Sequence, residues 1–422
     1  MVAPLVPDER HFVIVGGGQS GGSAAKMLRS AGFQGAITLI SEEAYPPYER
    51  PPLSKDVLLG TEPYESTYLD SESWYSSNHV NLRLNTRVIR IDRGNKTVET
   101  DSGEAVRYDK LLLATGARVR TLHIPNAELE GIHYLRGIDD CIALADEFDS
   151  CTHLLAIGGG FISLEVAAVA RTLGISVTVL EVAPSILARL LEGDVAKRIE
   201  GIHREKGVDF RTGVVVEHFL ADSENHTSDC PARVQGVQLR NGEKILADLV
   251  LVGVGIHPNT ELAETAGLEV EDGIRVNEYG ETSDPAIYAC GDNTNHYDPW
   301  SKTNRRLQSW QNAQDQAAAV ANVMCGNRVP YEAVPWFWSD QYDMNLQMAG
   351  VSDGCDQSIV RIDDTGKTFS KVYLKNNQVI GAVSINAPHE VMAARKLIAR
   401  KASLDVAKLA DPDIDLRKTI IR

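Results

Sequence analysis

Two sets of small residues in this chain have the spacing of backbone turns that bind pyrophosphate. Gly16, Gly18 and Gly21 read G-x-G-x-x-G directly after the apolar run at 12–15. Gly158, Gly160 and Ser163 repeat the pattern after the apolar run at 154–157, with serine in the third place. The chemistry is non-covalent. The first glycine permits a tight turn, the second lets backbone approach phosphate oxygens, and the third lets helix and strand close up. The N–H groups at the start of the helix then face the anion. An acidic residue about 20 positions further on can accept from both ribose hydroxyls. Glu42 lies 21 residues after Gly21, and Glu181 lies 18 after Ser163. Two such sets imply two bound dinucleotides. Serine is small enough to keep helix and strand together, with a slightly wider contact expected.

Each loop needs a buried strand before it and a helix after it. The runs at 12–15 and 37–40 are the expected strands of the first unit, with a helix through residue 30 and Gly32 just past its end. Runs at 154–157 and 177–180, with a helix at 164–173, make the second. A hairpin is expected across 97–108, turning at 101–103, and the run 108–118 reads as a strand broken at Thr115-Gly116. Asn241-Gly242 between apolar runs signals another hairpin. Gly253 and Gly255 mark a return to the first domain. A helix is expected at 307–323, then strands at 347–350, 359–362, 371–374 and 379–385, and a basic helix at 392–401. The expected class is α/β: two Rossmann-like dinucleotide-binding domains plus a C-terminal α+β domain with an antiparallel sheet. The expected divisions are 1–119, 120–250, 251–330 and 331–422, with the first and third pieces forming one domain.

Composition narrows the function. Hydrophobic residues at 43% and charged residues at 24% suit an ordinary globular enzyme. The formal charge of -16 argues against nucleic acid as a general partner, though not against a local basic patch. No apolar run approaches the roughly 18 residues of a membrane span, and the first ten residues lack the form of a secretory signal. The six cysteines (Cys141, Cys151, Cys230, Cys290, Cys325 and Cys355) are scattered. Their spacing suggests neither a metal site nor a vicinal disulfide, so reduced thiols in a cytoplasmic protein are expected. Residues 42–60 hold no cysteine, so that stretch offers no redox thiol. Glu181 favours free ribose hydroxyls and hence NADH over NADPH, although Arg189 is close enough to complicate that preference. Arg50 and Lys55 sit in the stiff segment Y-E-R-P-P-L-S-K, where they could meet a phosphate or a reactive ring, or remain surface charges. Asp292, after Gly291, could hold a polyol chain or cap the next helix.

With these residues in view, the chain resembles the two-dinucleotide flavoprotein reductases. More narrowly, it resembles the NADH-dependent, FAD-containing ferredoxin reductases of bacterial oxygenase systems. The resemblance runs nearly end to end. It rests on V-I-V-G-G-G near the start, E-R-P-P-L-S-K at 49–55, L-L-L-A-T-G-A-R at 111–118 and G-G-G-F-I-S-L-E at 158–165. Further matches are G-V-G-I-H-P-N at 253–259, I-Y-A-C-G-D at 287–292, S-W-Q-N-A-Q-D-Q-A at 309–317 and P-W-F-W-S-D-Q-Y-D at 335–343.

The resemblance implies roles that spacing leaves open. FAD would take the first loop, with Gly16, Gly18, Gly21, Glu42, Arg50, Lys55, Thr115, Gly116, Asp292 and Trp310. Arg50 would touch its pyrophosphate and Asp292 its ribityl chain, so the strand at 12–15 is expected beside 111–116 and 287–292. NADH would take Gly158, Gly160, Ser163, Glu181, Arg189 and Gly255. Lys55 and Glu165 would form the catalytic pair beside the flavin ring. Ser163 departs from the usual glycine, and Gln308 stands where many relatives carry Glu. The implied partner is a [2Fe–2S] ferredoxin feeding a cytochrome P450 or a Rieske-type oxygenase. Such ferredoxins are acidic, so an acidic reductase needs a local basic patch. Candidates are Lys302, Arg305 and Arg306 beside Trp310, and Arg395, Lys396, Arg400 and Lys401 on the C-terminal helix. A monomer or weak homodimer is expected. Within the superfamily, a rubredoxin or monodehydroascorbate-type reductase, or a signalling flavoprotein related to apoptosis-inducing factor, shares the same loops.

Overall fold

The structure, a computed structural model, describes residues 8–222 and 232–421. Cys230 and the first seven residues of the N-terminal segment lie outside the described residues. Two five-stranded parallel sheets carry the two glycine loops. The first runs Ile287–Ala289, Lys110–Leu113, His11–Val15, Ala36–Ile40, Val80–Arg83 in spatial order. Val15 stands between Leu113 and Ile40, so the first loop leaves the centre of the sheet. The central strands are apolar on both faces, as parallel strands covered on both sides must be. Helices Gln19–Ser30 and Trp310–Met324 pack together on one face.

The second sheet repeats this plan with Val208–Thr212, Ser176–Glu181, His153–Ile157, Leu249–Val252 and Ile132–His133. Ile157 stands between Leu180 and Val252. The strand Leu249–Val252 spans the expected division after residue 250. The strand Ile287–Ala289 pairs with Lys110–Leu113 rather than with His11–Val15, one place further out than expected.

The third sheet is antiparallel, in the order Trp336–Gln341, Met344–Gly350, Gln378–Ile385, Phe369–Lys375, Gln357–Ile362. Helix Pro388–Ala399 covers one face. Buried Arg361 ties this sheet to the C-terminal segment: it pairs with Glu390 at 2.9 Å and donates to the carbonyls of Asp411 and Ile414. Its first strand was legible only as an aromatic cluster. Ser339 and Gln341 point inward from it, and polar residues on the buried side hide a period of two. The long helix starts at Trp310 rather than 307, because the Ser309 hydroxyl caps it by accepting from the Asn312 N–H at 3.1 Å. Helices Ile138–Phe148 and Gly193–Glu205 were not anticipated.

Candidate active site

Gly16 turns the chain out of its strand at φ +117°, a conformation only glycine adopts without strain. A side chain on Gly16 would collide with the Ala114 carbonyl, and one on Gly21 would collide with the Gly16 carbonyl. Gly18 is different. A side chain there would meet nothing closer than Arg50 at 3.9 Å and would fill the space above the helix. Helix Gln19–Ser30 has no side-chain cap and no acidic residue in its first turn. Its first N–H groups are therefore left for an anion. Helix Phe161–Thr172 begins on Gly160 in the same way, also uncapped and without an early acid. Gly158 takes φ +103° against the Gly253 carbonyl.

The two acids end up differently. Glu181 is held by backbone: one oxygen accepts from the Gly159 N–H at 2.6 Å, the other from the Ala183 N–H at 2.7 Å. The free lone pairs of a carboxylate so fixed suit ribose hydroxyls. Glu42 is 65% exposed, lines the main cavity and pairs loosely with Arg87 at 3.6 Å. Its neighbour Glu43 turns away to Arg50 and Tyr48. Arg189 is exposed in the turn after Glu181.

One cavity of about 1280 Å³ reaches from the first loop to the second, lined by Gly16–Gly18, Thr115, Gly116, Gly160, Gly255 and Asp292 among others. Lys55 and Glu165 line it and form a direct ion pair at 3.0 Å, 14% and 4% exposed. Lys55 comes from the proline-stiffened turn Pro51–Ser54, where its Nζ also donates to the Pro51 carbonyl at 3.1 Å. Glu165 comes from the helix after the second loop, so the pair joins the two nucleotide units. The Ser54 and Ser339 hydroxyls both donate to Glu165.

Arg50 lies beside Gly18. Burial opposes its charge, but Tyr48 and Glu43 more than offset that and raise its pKa. It donates to the Arg136 carbonyl at 2.8 Å, while the Arg136 guanidinium donates to Asp292 at 2.9 Å. Arg136 escaped the sequence reading. Burial, and then Arg50, lower its pKa. The available signal was a lone arginine in an apolar stretch directly before Gly137. Asp292 therefore meets a cation rather than capping a helix. The Thr115 hydroxyl donates to the Asn259 carbonyl at 2.7 Å. Trp310 closes one side, edge-on to Trp338 at 5.4 Å. None of the described residues lining the cavity is a cysteine. Cys290, close in sequence, is pushed up to about 12 by burial and supplies no thiolate.

The basic patch is less uniform than expected. Arg306 is 11% exposed, pairs with Asp272 at 3.1 Å and lines the cavity. Arg305 lies 3.6 Å from the buried Asp298, 33% exposed. Lys302, Lys396, Arg400 and Lys401 are exposed. Arg395 is half-buried, its guanidinium 5.5 Å from the centre of the Trp336 ring. Gln308 is exposed on the cavity wall.

The open space over Gly18, the uncapped helix start and the Arg50 and Arg136 cations suit an extended dinucleotide at the first loop, and the open, uncapped helix start at Gly160 suits a second. Comparison with known proteins agrees with that fit. The Rhodocoxin reductase of Rhodococcus erythropolis is 41% identical over 97% of this chain and 94% of its own length. The anthranilate 1,2-dioxygenase system ferredoxin--NAD(+) reductase component of Burkholderia cepacia is 38% identical over 96% of this chain and 98% of its own. The reductase in the crystal structure of the covalent putidaredoxin reductase–putidaredoxin complex superposes with a TM-score of 0.92 at 36% identity, covering 97% of this chain and 98% of that one. Residues 336–420 match the Reductase C-terminal family. Residues 10–317 match the Pyridine nucleotide-disulphide oxidoreductase family, and the chain belongs to it.

Proposed function

We propose that the chain is a ferredoxin--NAD(+) reductase: it takes a hydride from NADH and passes electrons singly to a [2Fe–2S] ferredoxin that serves a cytochrome P450 or Rieske-type oxygenase. The observation that carries this reading is the Lys55–Glu165 pair, set in one cavity lined by both glycine loops. FAD, when bound, supplies the conversion between a two-electron donor and a one-electron acceptor, which no side chain here can perform.

The chain's own residues bind, orient and screen. The first helix start and Arg50 would hold the FAD pyrophosphate, Glu42 would accept from its adenosine ribose, and Asp292, fixed by Arg136, would hold its ribityl chain. The second helix start would hold the NADH pyrophosphate, and Glu181 would accept from its ribose. Lys55 places a positive charge where negative charge develops, and Glu165 fixes that ammonium while moderating its field. Trp310 and the Trp336–Trp338 strand screen the cavity from water. A cytoplasmic location belongs to the same reading. It is supported by five free cysteines, and no described helix is long and apolar enough to cross a membrane.

The test is NADH-driven reduction of a panel of [2Fe–2S] ferredoxins, a rubredoxin and quinones by the FAD-loaded protein. Reduction of a [2Fe–2S] protein in preference to the others is expected. Preference for rubredoxin would move the chain to the neighbouring reductase class.

A further inference from the structure

The motif P-W-F-W-S-D-Q-Y contributes more than aromatic walls. Its Ser339 and Gln341 belong to an uninterrupted buried hydrogen-bonded chain that leaves the cavity and ends between the second nucleotide unit and the third sheet. Glu165 Oε1 lies 2.6 Å from Ser339 Oγ, which lies 2.9 Å from Gln341 Nε2. Gln341 Oε1 lies 2.7 Å from His203 Nε2, and His203 Nδ1 lies 3.3 Å from the Tyr342 hydroxyl. Ser339, Gln341 and His203 are each no more than 1% exposed.

The direction of every bond follows from one end. An ionised carboxylate only accepts, so Ser339 must donate to Glu165. Gln341 must then donate to Ser339, which turns the Gln341 carbonyl to His203. His203 must therefore carry its proton on Nε2, and Nδ1 accepts from Tyr342. The donors all point toward Glu165, so their polarisation adds up along the chain. Reversing any one amide or tautomer would face two lone pairs or two protons across a buried contact.

Tyr342 shows that this arrangement is held against backbone preference. It takes φ +55° in the two-residue turn between Trp336–Gln341 and Met344–Gly350, a conformation where Gly, Asn or Asp are the usual occupants. Its ring packs edge-on against His203 at 5.1 Å.

We propose that Ser339, backed by Gln341, His203 and Tyr342, is a positioning residue that holds Glu165 as a carboxylate turned on Lys55. The third sheet thereby sets the charge beside the flavin. This rests on the functional reading above, but its test separates from it.

Two measurements decide. Selective 15N NMR of histidine, with His203→Gln for assignment, reads the tautomer whether or not cofactor is bound. The Nε2-protonated form is expected, and an Nδ1-protonated His203 would overturn the chain's direction. Reductive titration of the bound flavin reads its two-electron potential in Ser339→Ala, Glu165→Gln and the double variant, with FAD stoichiometry as the check on folding. Ser339→Ala should change the ratio of reduced to oxidised FAD affinity about threefold in the direction set by Glu165→Gln. That is about 14 mV at 29.6 mV per decade for a two-electron couple. It should add little once Glu165 is Gln, and Ser339→Thr should restore the parent value. A Ser339→Ala shift that persists undiminished beside Glu165→Gln, or no shift, would refute the proposal. Failure to bind FAD would count against the functional reading, and the tautomer would still judge the chain.

Discussion

Ser163 places its hydroxyl in the space that a side chain on Gly253 would need. The first nucleotide unit has the opposite arrangement. Gly21 stands at the position of Ser163, and Ala114 at that of Gly253. The Ser163 hydroxyl is accommodated by a glycine about ninety residues later. Gly253→Ala should cost about 1–3 kcal/mol by overpacking and weaken NADH binding. Adding Ser163→Gly should recover both, since it recreates the first unit's pairing. Calorimetric unfolding and NADH titration check this. A Gly253→Ala variant with unchanged stability would contradict it.

Glu181 is locked by the Gly159 and Ala183 N–H groups with both oxygens still able to accept. Loss of a hydrogen bond to a charged group costs about 1.5–3 kcal/mol. Glu181→Ala should therefore raise the KM for NADH at least tenfold with a smaller change in kcat. The kcat/KM ratio of NADPH to NADH should rise, because no carboxylate then repels a 2′-phosphate. Steady-state kinetics with both nucleotides reads the outcome. An unchanged KM for NADH would contradict the assignment.

Much of this site was legible because both glycine loops are local in sequence. A strand, three small residues and an acid at a fixed offset are all set by one stretch of about thirty residues. Lys55 and Glu165, 110 positions apart, could be paired only through the resemblance, since no local pattern joins a proline-stiffened turn to a distant helix. Arg136 was missed for a related reason: its partners Arg50 and Asp292 lie far away in the chain. That Arg306 lines the cavity was not legible, because basic residues are normally solvated and only the fold places it there. The strand Trp336–Gln341 was hidden because Ser339 and Gln341, which serve Glu165, occupy its buried side.

Acid should destabilise the region around His296. This side chain is 3% exposed, and its pKa is lowered to about 4, chiefly by burial. Arg305 adds to the shift and Asp298 opposes it. An unfolded histidine binds its proton near pH 6.5. Between pH 6.5 and about 4 the unfolded chain holds more protons than the folded one, so stability is full above that window and falls within it. The loss is on the order of 3 kcal/mol. His203, also lowered by burial, contributes with the same sign. His296→Gln should flatten the slope of unfolding free energy against pH in that window. An unchanged slope would show that His296 does not titrate there.

Docking should depend on Arg395 rather than Arg306. Arg395 lies over Trp336, which lines the cavity, and remains partly exposed. Arg395→Glu should slow reduction of an acidic [2Fe–2S] ferredoxin about tenfold at low ionic strength, with the effect fading as salt is added. Ferricyanide reduction by NADH should stay unchanged. Equal loss of both would indicate a damaged flavin site.

The most direct measurement is a single turnover. The FAD-loaded protein is mixed anaerobically with one equivalent of NADH and excess oxidised [2Fe–2S] ferredoxin, and flavin and iron–sulfur absorbance are followed together. The account predicts rapid flavin bleaching, then reduction of two ferredoxins per NADH. A flavin that bleaches slowly into a long-lived charge-transfer complex, with no ferredoxin reduced, would contradict it.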